Sequence, residues 1–578
     1  MAAAVAKLYP KVKFGIGPAI EDGFYYDFEF PSSAKATAGR PKPISESDLE
    51  KISTSMIRII EAKLPFTKKE VSLSQAKEIF KDQPYKLELI GELDKEGHQK
   101  VSLYKTNGFI DLCAGPHVEN TSQIGPFKLL SIAGAYWRGS EKNKMLTRIY
   151  GTVFESQKEL DEYLIQIEDA KLNDHRKIGK DLGLFVFSDL VGKGLPMLGP
   201  KGAAIKRELE RFAVDEELKR GYYHVSTPDL AKVDLYKKSG HYPYYKDTMY
   251  PVMKVDEEEL ILRPMTCPHH FMFFKSEPHS YRDLPYRIAE VAHQYRYEKS
   301  GELSGLVRVR MFCLADAHII ATKDQAKQVI KEVLELIDFV NEKFGMIKGT
   351  DYRFRLSLGD RKDTKKYYKD DSAWEYAEDV LRQVLKELNA PFFEAENEAV
   401  FYGPKIDVQI QKPGGKEETA FTVQYDFVMP ERFELAFINK DGKEERPIVI
   451  HRSSIGCIER TMAFLIEKFK GAFPVWLSPV QAIIVPITDK HNKYGQEIVT
   501  QLREQNIRAE LDDRGETMSS KIRDAELQKI PYILVVGEKE IQEKAVNVRV
   551  RGEKVLGLMK IDKFFSLIKE DIDKKRQV

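Results

Sequence analysis

The densest chemistry in the sequence lies between Tyr295 and His318, in YRYEKSGELSGLVRVRMFCLADAH. An Arg-x-Glu pair, Arg296 and Glu298, is followed by a Gly/Ser loop, and then Arg308, Phe312 and Asp316 recur at steps of four. At period two, Arg308, Arg310, Phe312, Leu314 and Asp316 would share one face of a strand. Two fixed guanidinium groups, a flat ring and a carboxylate converging on one pocket would suit a nucleotide. Arginine grips phosphate oxygens bidentately, and an aromatic ring stacks on a base. The same spacing also describes a solvated, charged hairpin, so alone it does not decide. Cys267, His318 and His451 are scattered through MTCP, DAHI and IHR. Spacing alone reads them as a core thiol and two ordinary histidines, with His269 and His270 equally available.

These residues need elements to hold them. Between 185 and 470, Ala203 to Arg220 reads as a helix stopped by Gly221, and Thr322 with Gln325 forms a capping-box pattern. That box opens a long helix whose buried face is Val329, Val333, Leu336, Ile337 and Val340. Alternating runs such as YRFRLSL and KIDVQIQ, with no regular βαβ repeat, predict an antiparallel sheet. Upstream, KFGIGPAI, FYYDFEF, KLELIG and VSLYKT read as short strands of an α+β domain, with a polar loop over 32–48 before an amphipathic helix. Leu160, Tyr163, Leu164 and Ile167 begin a linking helix. From 475 on, QAIIVPI, RAELDD, YILVVG and AVNVRVRG alternate with helices near 493–505 and 520–529, an α/β domain of its own.

Composition bounds the rest. A chain of 578 residues is too long for one core. Lys+Arg at 91 against Asp+Glu at 90 is not the basic excess common among nucleic-acid binders, although local patches, not totals, meet phosphates. Four separated cysteines without a C-x-x-C pair argue against a disulfide framework and for a reducing compartment. The N-terminus has no signal-peptide pattern, and no run approaches the ~18 apolar residues of a membrane span, so a cytoplasmic protein is expected.

A family resemblance then takes in nearly the whole chain. RYE…RVRMF…D resembles motif 2 of the class II aminoacyl-tRNA synthetases, YYHVSTPDL with Pro228 resembles motif 1, and SSIGCIER with Gly456, Glu459 and Arg460 resembles motif 3. The resemblance implies an antiparallel sheet binding ATP with Mg²⁺ and a homodimer built through motif 1. It places Arg296 on the α-phosphate, Arg308 and Arg460 on the γ-phosphate, and Phe312 on adenine near Glu298. MTCP, DAHI and IHR are similar to the zinc site of threonyl-tRNA synthetases, making Cys267, His318 and His451 the ligands of one zinc. Three protein ligands leave a fourth position for substrate. Asp316 would take the substrate hydroxyl proton, which valine lacks and serine keeps. Tyr402 and Lys405 in AVFYGPKIDV and Gln424 in TVQYDF would line the adenylate pocket. His241, in SGHYPYYKD, would stand near the terminal ribose of the tRNA as a base with a pKa near ~6.5.

The same resemblance divides the chain into an editing-type domain over 1–152, a linker helix over 153–184, a catalytic domain over 185–472 and an anticodon-binding domain over 473–578. It assigns Asp111, Cys113 and His117 to editing, and Glu540 and Arg549 to the anticodon of threonine tRNA. The H-x-x-x-H half that faces Cys113 and His117 in the family has no counterpart here, which implies impaired clearance of serine. Leu314, Cys457 and Gly515 depart from the family's usual glutamine, serine and asparagine, and the loop GDRKDTKKYYKDDSAW is unlike the family's versions. The rivals are another class II specificity and a non-catalytic RNA-binding relative; the first would not need the Cys/His/His set, and the second would not need all three arginines.

Overall fold

The computed structural model of the chain describes residues 1–20, 23–31, 44–140, 142–412, 417–552 and 554–576. Two compact units emerge, one over Met1–Asp169 and the other over Ala170–Lys412 and Glu417–Val578.

In the first unit, strands Lys13–Phe14, Gly23–Glu29, Met145–Val153 and Phe127–Tyr136 form an antiparallel sheet, with Ala19–Ile20 paired to Gly23–Glu29. Phe28 and Ile149 on the sheet pack with Val5 and Ile52 from the helices Ala2–Leu8 and Glu46–Glu61. The polar loop expected over 32–48 falls largely outside the described residues, but the amphipathic helix after it forms behind a Ser45–Asp48 capping box. A three-stranded sheet joins Thr67–Ser72, Lys100–Thr106 and Phe109–Leu112. KLELIG is not a strand; it belongs to the helix Pro84–Lys95. Pro84 in the first turn supplies the fixed φ that starts a helix, and Tyr85, Lys86 and Ile90 form its buried side.

The helix expected over 153–184 is two, Gln157–Leu172 and His175–Asp181. Asp174 breaks the run by capping the second, its carboxylate accepting the Arg176 amide at 2.7 Å.

The second unit is built on an eight-stranded sheet in the order 223–224, 286–295, 311–321, 448–457, 417–426, 405–411, 352–357 and 392–395. Every interior pairing is antiparallel, as the alternating runs predict, and only the two outermost strands pair in parallel. The helix Ala326–Lys343 forms behind the Thr322–Gln325 box, and Val329, Val333, Leu336, Ile337 and Val340 are all buried. Each such side chain stabilises the fold by about 1.5–3 kcal/mol relative to exposure. The C-terminal part is a five-stranded sheet, parallel over Ala509–Leu511, Ala482–Pro486 and Tyr532–Val536, then antiparallel through Ala545–Val550 and Lys554–Lys560. It has its own core around Ile484, Leu534, Val548 and Phe564. Arg508 ties it to the helix Pro200–Lys219 through Glu208, at 3.0 Å.

Candidate functional site

Strand register brings the scattered residues together. His318 on Met311–Ala321 lies directly opposite His451 on Ile448–Cys457, and His451 lies opposite Gln424 on the next strand. Period two carries Phe312, Leu314, Asp316 and His318 along one face. The pairing slips between Leu314 and Asp316, where the neighbouring strand bulges at 454–456. Gly456 is required in that bulge. Its φ is +71°, and a Cβ there would lie 2.6 Å from the Ala420 carbonyl oxygen.

The face opens on a cleft of about 610 Å³. Its walls include Arg296, Glu298, Arg308, Phe312 and Arg460 at one end, with Asp316, Cys267, His318, His451, His241, Tyr402 and Gln424 at the other. Lys405 stands beside Gln424 in register, but its ammonium is bound to Asp407 at 2.9 Å and it does not line the cleft. The shared face expected for Arg308 and Arg310 does not form. The strand begins only at Met311; Arg308 sits in a turn bridged to Ser304, and Arg310 packs on the Tyr297 ring at 4.3 Å.

Of Arg296, Arg308 and Arg460, two are poorly neutralised. Arg296 donates only to neutral oxygens, the Pro264 carbonyl at 3.1 Å and the Gln294 amide at 3.2 Å, while its guanidinium lies 5.1 Å over Phe312. Among the described residues no carboxylate is within ion-pair reach of it, and burial lowers its pKa. Arg460 likewise donates to the carbonyls of Val307 and Thr419 at 3.1 and 3.0 Å. Arg308, by contrast, is exposed and pairs with Glu298 and Glu302 at 3.9 Å. A buried cation without a counter-ion is costly, so this end of the cleft is built for an anion.

At the other end, one donor atom from each of buried Cys267, His318 and His451 lies within 4.8 Å of the other two. The far ring nitrogens are already committed. His451 Nε2 meets Asp426 at 2.7 Å, and His318 Nδ1 meets His270 Nδ1 at 2.8 Å. His270 Nε2 in turn meets Glu290 at 3.2 Å. Burial by itself would raise the Glu290 carboxyl, but bonds from His270 and Thr227 and the Arg263 charge bring it down to about 2. Ionised Glu290 therefore accepts a hydrogen bond from His270 Nε2–H, His270 Nδ1 accepts from His318 Nδ1–H, and His318 Nε2 keeps a free lone pair. Burial holds His318 neutral and pushes the Cys267 thiol well above its ordinary range, so only a cation would favour the thiolate there. One thiol, two imidazoles and oriented outer partners fit a tetrahedral zinc with an open position. His270, a possible ligand by sequence, is thus a partner of one. Its role and that of Glu290 have no local sequence signal, because the two lie on different elements.

Asp316 is buried, which raises its pKa, and it accepts from Gln294 Nε2 at 3.3 Å. The Tyr402 hydroxyl donates to Gln424, and its ring stacks on His451 at 5.1 Å. His241 departs from expectation. Burial, assisted by the His451, Arg432 and Arg296 charges, lowers it to about 3, while Nδ1 meets the Ser239 hydroxyl at 2.7 Å. The ring is neutral throughout the physiological range. Between about 6.5 and about 3 the unfolded imidazole binds a proton that the folded one refuses, so its share of stability falls as pH drops through that window. Aminoacyl transfer measured in single turnover should accordingly stay level from roughly pH 8 to pH 5.5. A break near 6.5 that vanishes in His241→Asn would contradict this.

In the first unit, Cys113 Sγ and His117 Nε2 lie 3.2 Å apart, with the His117 ring tilted against Tyr104 at 4.1 Å. Asp111 turns instead to Lys86 at 2.6 Å and to the Tyr26 hydroxyl at 2.5 Å. His98 is exposed. In the C-terminal sheet, Arg549 lies on Ala545–Val550, and Glu540 caps a helix by accepting the Gly537 amide at 3.0 Å.

Residues 250–469 match the tRNA synthetase class II core domain (G, H, P, S and T), 481–571 an anticodon binding domain, and 101–150 the threonyl and alanyl tRNA synthetase second additional domain. Fold and cleft together therefore define a class II aminoacyl-tRNA synthetase. A threonine–tRNA ligase of Staphylococcus carnosus is 50% identical across 100% of this chain and 87% of its own length, and one of Streptococcus pneumoniae is 48% identical across 100% and 88%. The structure titled as the RNA binding domain of threonyl-tRNA synthetase from Cryptosporidium parvum aligns with a TM-score of 0.65 at 33% identity, over 69% of this chain and 98% of that one. A putative threonyl-tRNA synthetase of Aeropyrum pernix aligns at 0.63 and 27% identity, over 70% and 97%. The chain belongs to the threonine–tRNA ligase family. Among its described residues, no helix is long and apolar enough to cross a membrane.

Proposed function

We propose that the cleft activates threonine with ATP and passes the threonyl group to the 3′ end of threonine tRNA, with Arg296, Arg308 and Arg460 holding the phosphates and Cys267, His318 and His451 holding one zinc. The observation that carries this reading is the meeting of two under-neutralised guanidinium groups, Arg296 and Arg460, with Arg308 and a Cys/His/His donor set in one cleft. Zinc bound there would supply a Lewis-acid position for the substrate amino and hydroxyl groups. The chain's own residues do the rest. The threonine carboxylate attacks the α-phosphorus and pyrophosphate leaves. Arg296, fixed by Pro264 and Gln294, stands ready for the α-phosphate, and Arg308 and Arg460 for the γ-phosphate, with Mg²⁺ sharing the charge. Phe312 would carry the adenine, and Tyr402 and Gln424 would border the adenylate. Lys405 reaches it only if it leaves Asp407.

Asp316 would accept the substrate hydroxyl and so exclude valine. The Cys113–His117 pair is proposed for editing and Arg549 for the anticodon, while Glu540 is already used as a cap. Domain limits at 152, 184 and 472, assembly as a homodimer through the helix before YYHVSTPDL, and a cytoplasmic location belong to the same proposal.

ATP–pyrophosphate exchange tests the core of it. Valine should stay about 10⁴-fold below threonine, with serine between them. Asp316→Ala should cost threonine about 10–100-fold and leave valine unchanged. Valine within about tenfold of threonine in the parent enzyme would defeat the proposed basis of selection.

A further inference from the structure

Outside the cleft, Asp174, His175 and Glu467 also bring their donor atoms within 4.8 Å of one another. Their hydrogen bonds describe something other than a metal site. His175 is 3% exposed; its Nδ1 meets Glu467 at 2.6 Å, and its Nε2 meets the Leu306 backbone amide at 3.1 Å. A backbone N–H can only donate, so Nε2 must be the unprotonated acceptor and Nδ1–H must point at Glu467. Both ring nitrogens are therefore used, and the glutamate fixes the tautomer.

Leu306 lies at the centre of the turn that presents Arg308. Ser304 and Arg308 close that turn, their amide–carbonyl pairs both at 3.2 Å. Within it, the Val307 carbonyl accepts from Arg460 Nε at 3.1 Å. One turn thus positions both arginines assigned above to the γ-phosphate. The imidazole also occupies the space over Gly305. The glycine has φ +50°, and a Cβ there would lie 2.1 Å from His175 Nε2. The histidine itself opens the helix His175–Asp181, and its partner Glu467 lies on Ile458–Phe469, the helix that carries Arg460.

We infer that His175, held by Glu467, is a positioning residue for ATP: its Nε2 grips the Leu306 amide and so sets the turn that presents Arg308 and supports Arg460. This rests on the reading of those arginines as phosphate ligands.

His175→Asn keeps an amide that can donate to Glu467 but reaches no farther, whereas His175→Gln returns an acceptor at the distance of Nε2. In ATP–pyrophosphate exchange the Asn variant should raise the KM for ATP about tenfold with the KM for threonine unchanged, and the Gln variant should recover most of the loss. Gly305→Ala crowds the same contact from the turn itself and should raise the KM for ATP selectively as well, even should the Asn variant fail to fold. An unaltered KM for ATP in His175→Asn or in Gly305→Ala would overturn the inference. So would an equal rise in both KM values that Gln does not rescue. Arg308→Ala serves as the control: if it too leaves ATP binding untouched, it is the phosphate assignment that fails, and if it alone weakens ATP, only the role of His175 is lost.

Discussion

Cys267→Ala should lower threonine activation by about 10³-fold or more and take the zinc content from about one per chain to near zero. The size of the effect follows from the geometry around the sulfur. Two imidazoles remain after the substitution, each still oriented by Asp426 or by the His270–Glu290 pair, and two ligands bind zinc far more weakly than three. The change is small in volume, from a buried thiol to a methyl group, so unfolding measured without added metal should move little. Cys267→Ser is expected to be nearly as damaging, since a serine hydroxyl is not ionised at neutral pH. Metal content by atomic emission and threonine-dependent pyrophosphate exchange, run on the same preparations, check the two halves. A fully active variant, or active parent enzyme free of zinc, would remove the basis for the assignment.

The second large effect should come from Arg296. Arg296→Ala is expected to reduce kcat/KM for adenylate formation by about 10²–10³-fold, the range typical for one preorganised charge donor at a developing negative centre. Arg296→Lys should recover little of it. The guanidinium is held in plane by the Pro264 carbonyl and the Gln294 amide and lies over Phe312, and an ammonium on a flexible stem reproduces neither the fork nor the stacking. Removing the charge should also relieve the folded state of an under-neutralised cation, so the Ala variant should unfold at no lower temperature than the parent. Pre-steady-state adenylate formation is the direct readout. Equal rates in the Lys variant and the parent would mean that position 296 supplies charge only.

How much of this was legible in advance depended on the range of each signal. The alternation from Phe312 to His318 is local, and it gave the right face of the strand. The same rule carried to Arg308 and Arg310 failed, because the chain leaves the strand before Met311 and the turn from Ser304 obeys its own hydrogen bonds. KLELIG failed for a related reason. Three apolar residues in six fit either period, and Pro84 just before them was the deciding mark. The closeness of Cys267, His318 and His451 was invisible to spacing, since two different strand registers and a helix start create it. Only the family resemblance connected them. His241 is expected from the sequence to be a base of ordinary basicity, and its burial comes from partners more than a hundred residues away, Phe401 and Tyr402 among them.

Gln294 ties the two ends of the cleft into one thermodynamic unit. Its Nε2 serves Thr266 and Asp316, at 3.0 and 3.3 Å, while its Oε1 serves Arg296 at 3.2 Å. One planar amide cannot satisfy either side independently, because turning it toward one partner turns it from the other. A ligand that recruits Asp316 and a ligand that recruits Arg296 therefore share a coupling free energy, equal in both directions, that passes through a single side chain. In a double-mutant cycle, Asp316 and Arg296 would consequently not be additive, coupled both by the amide between them and by the attraction of their charges. Replacing Gln294 by a residue that cannot bridge them would leave the amino-acid end and the phosphate end as two separate, weaker sites.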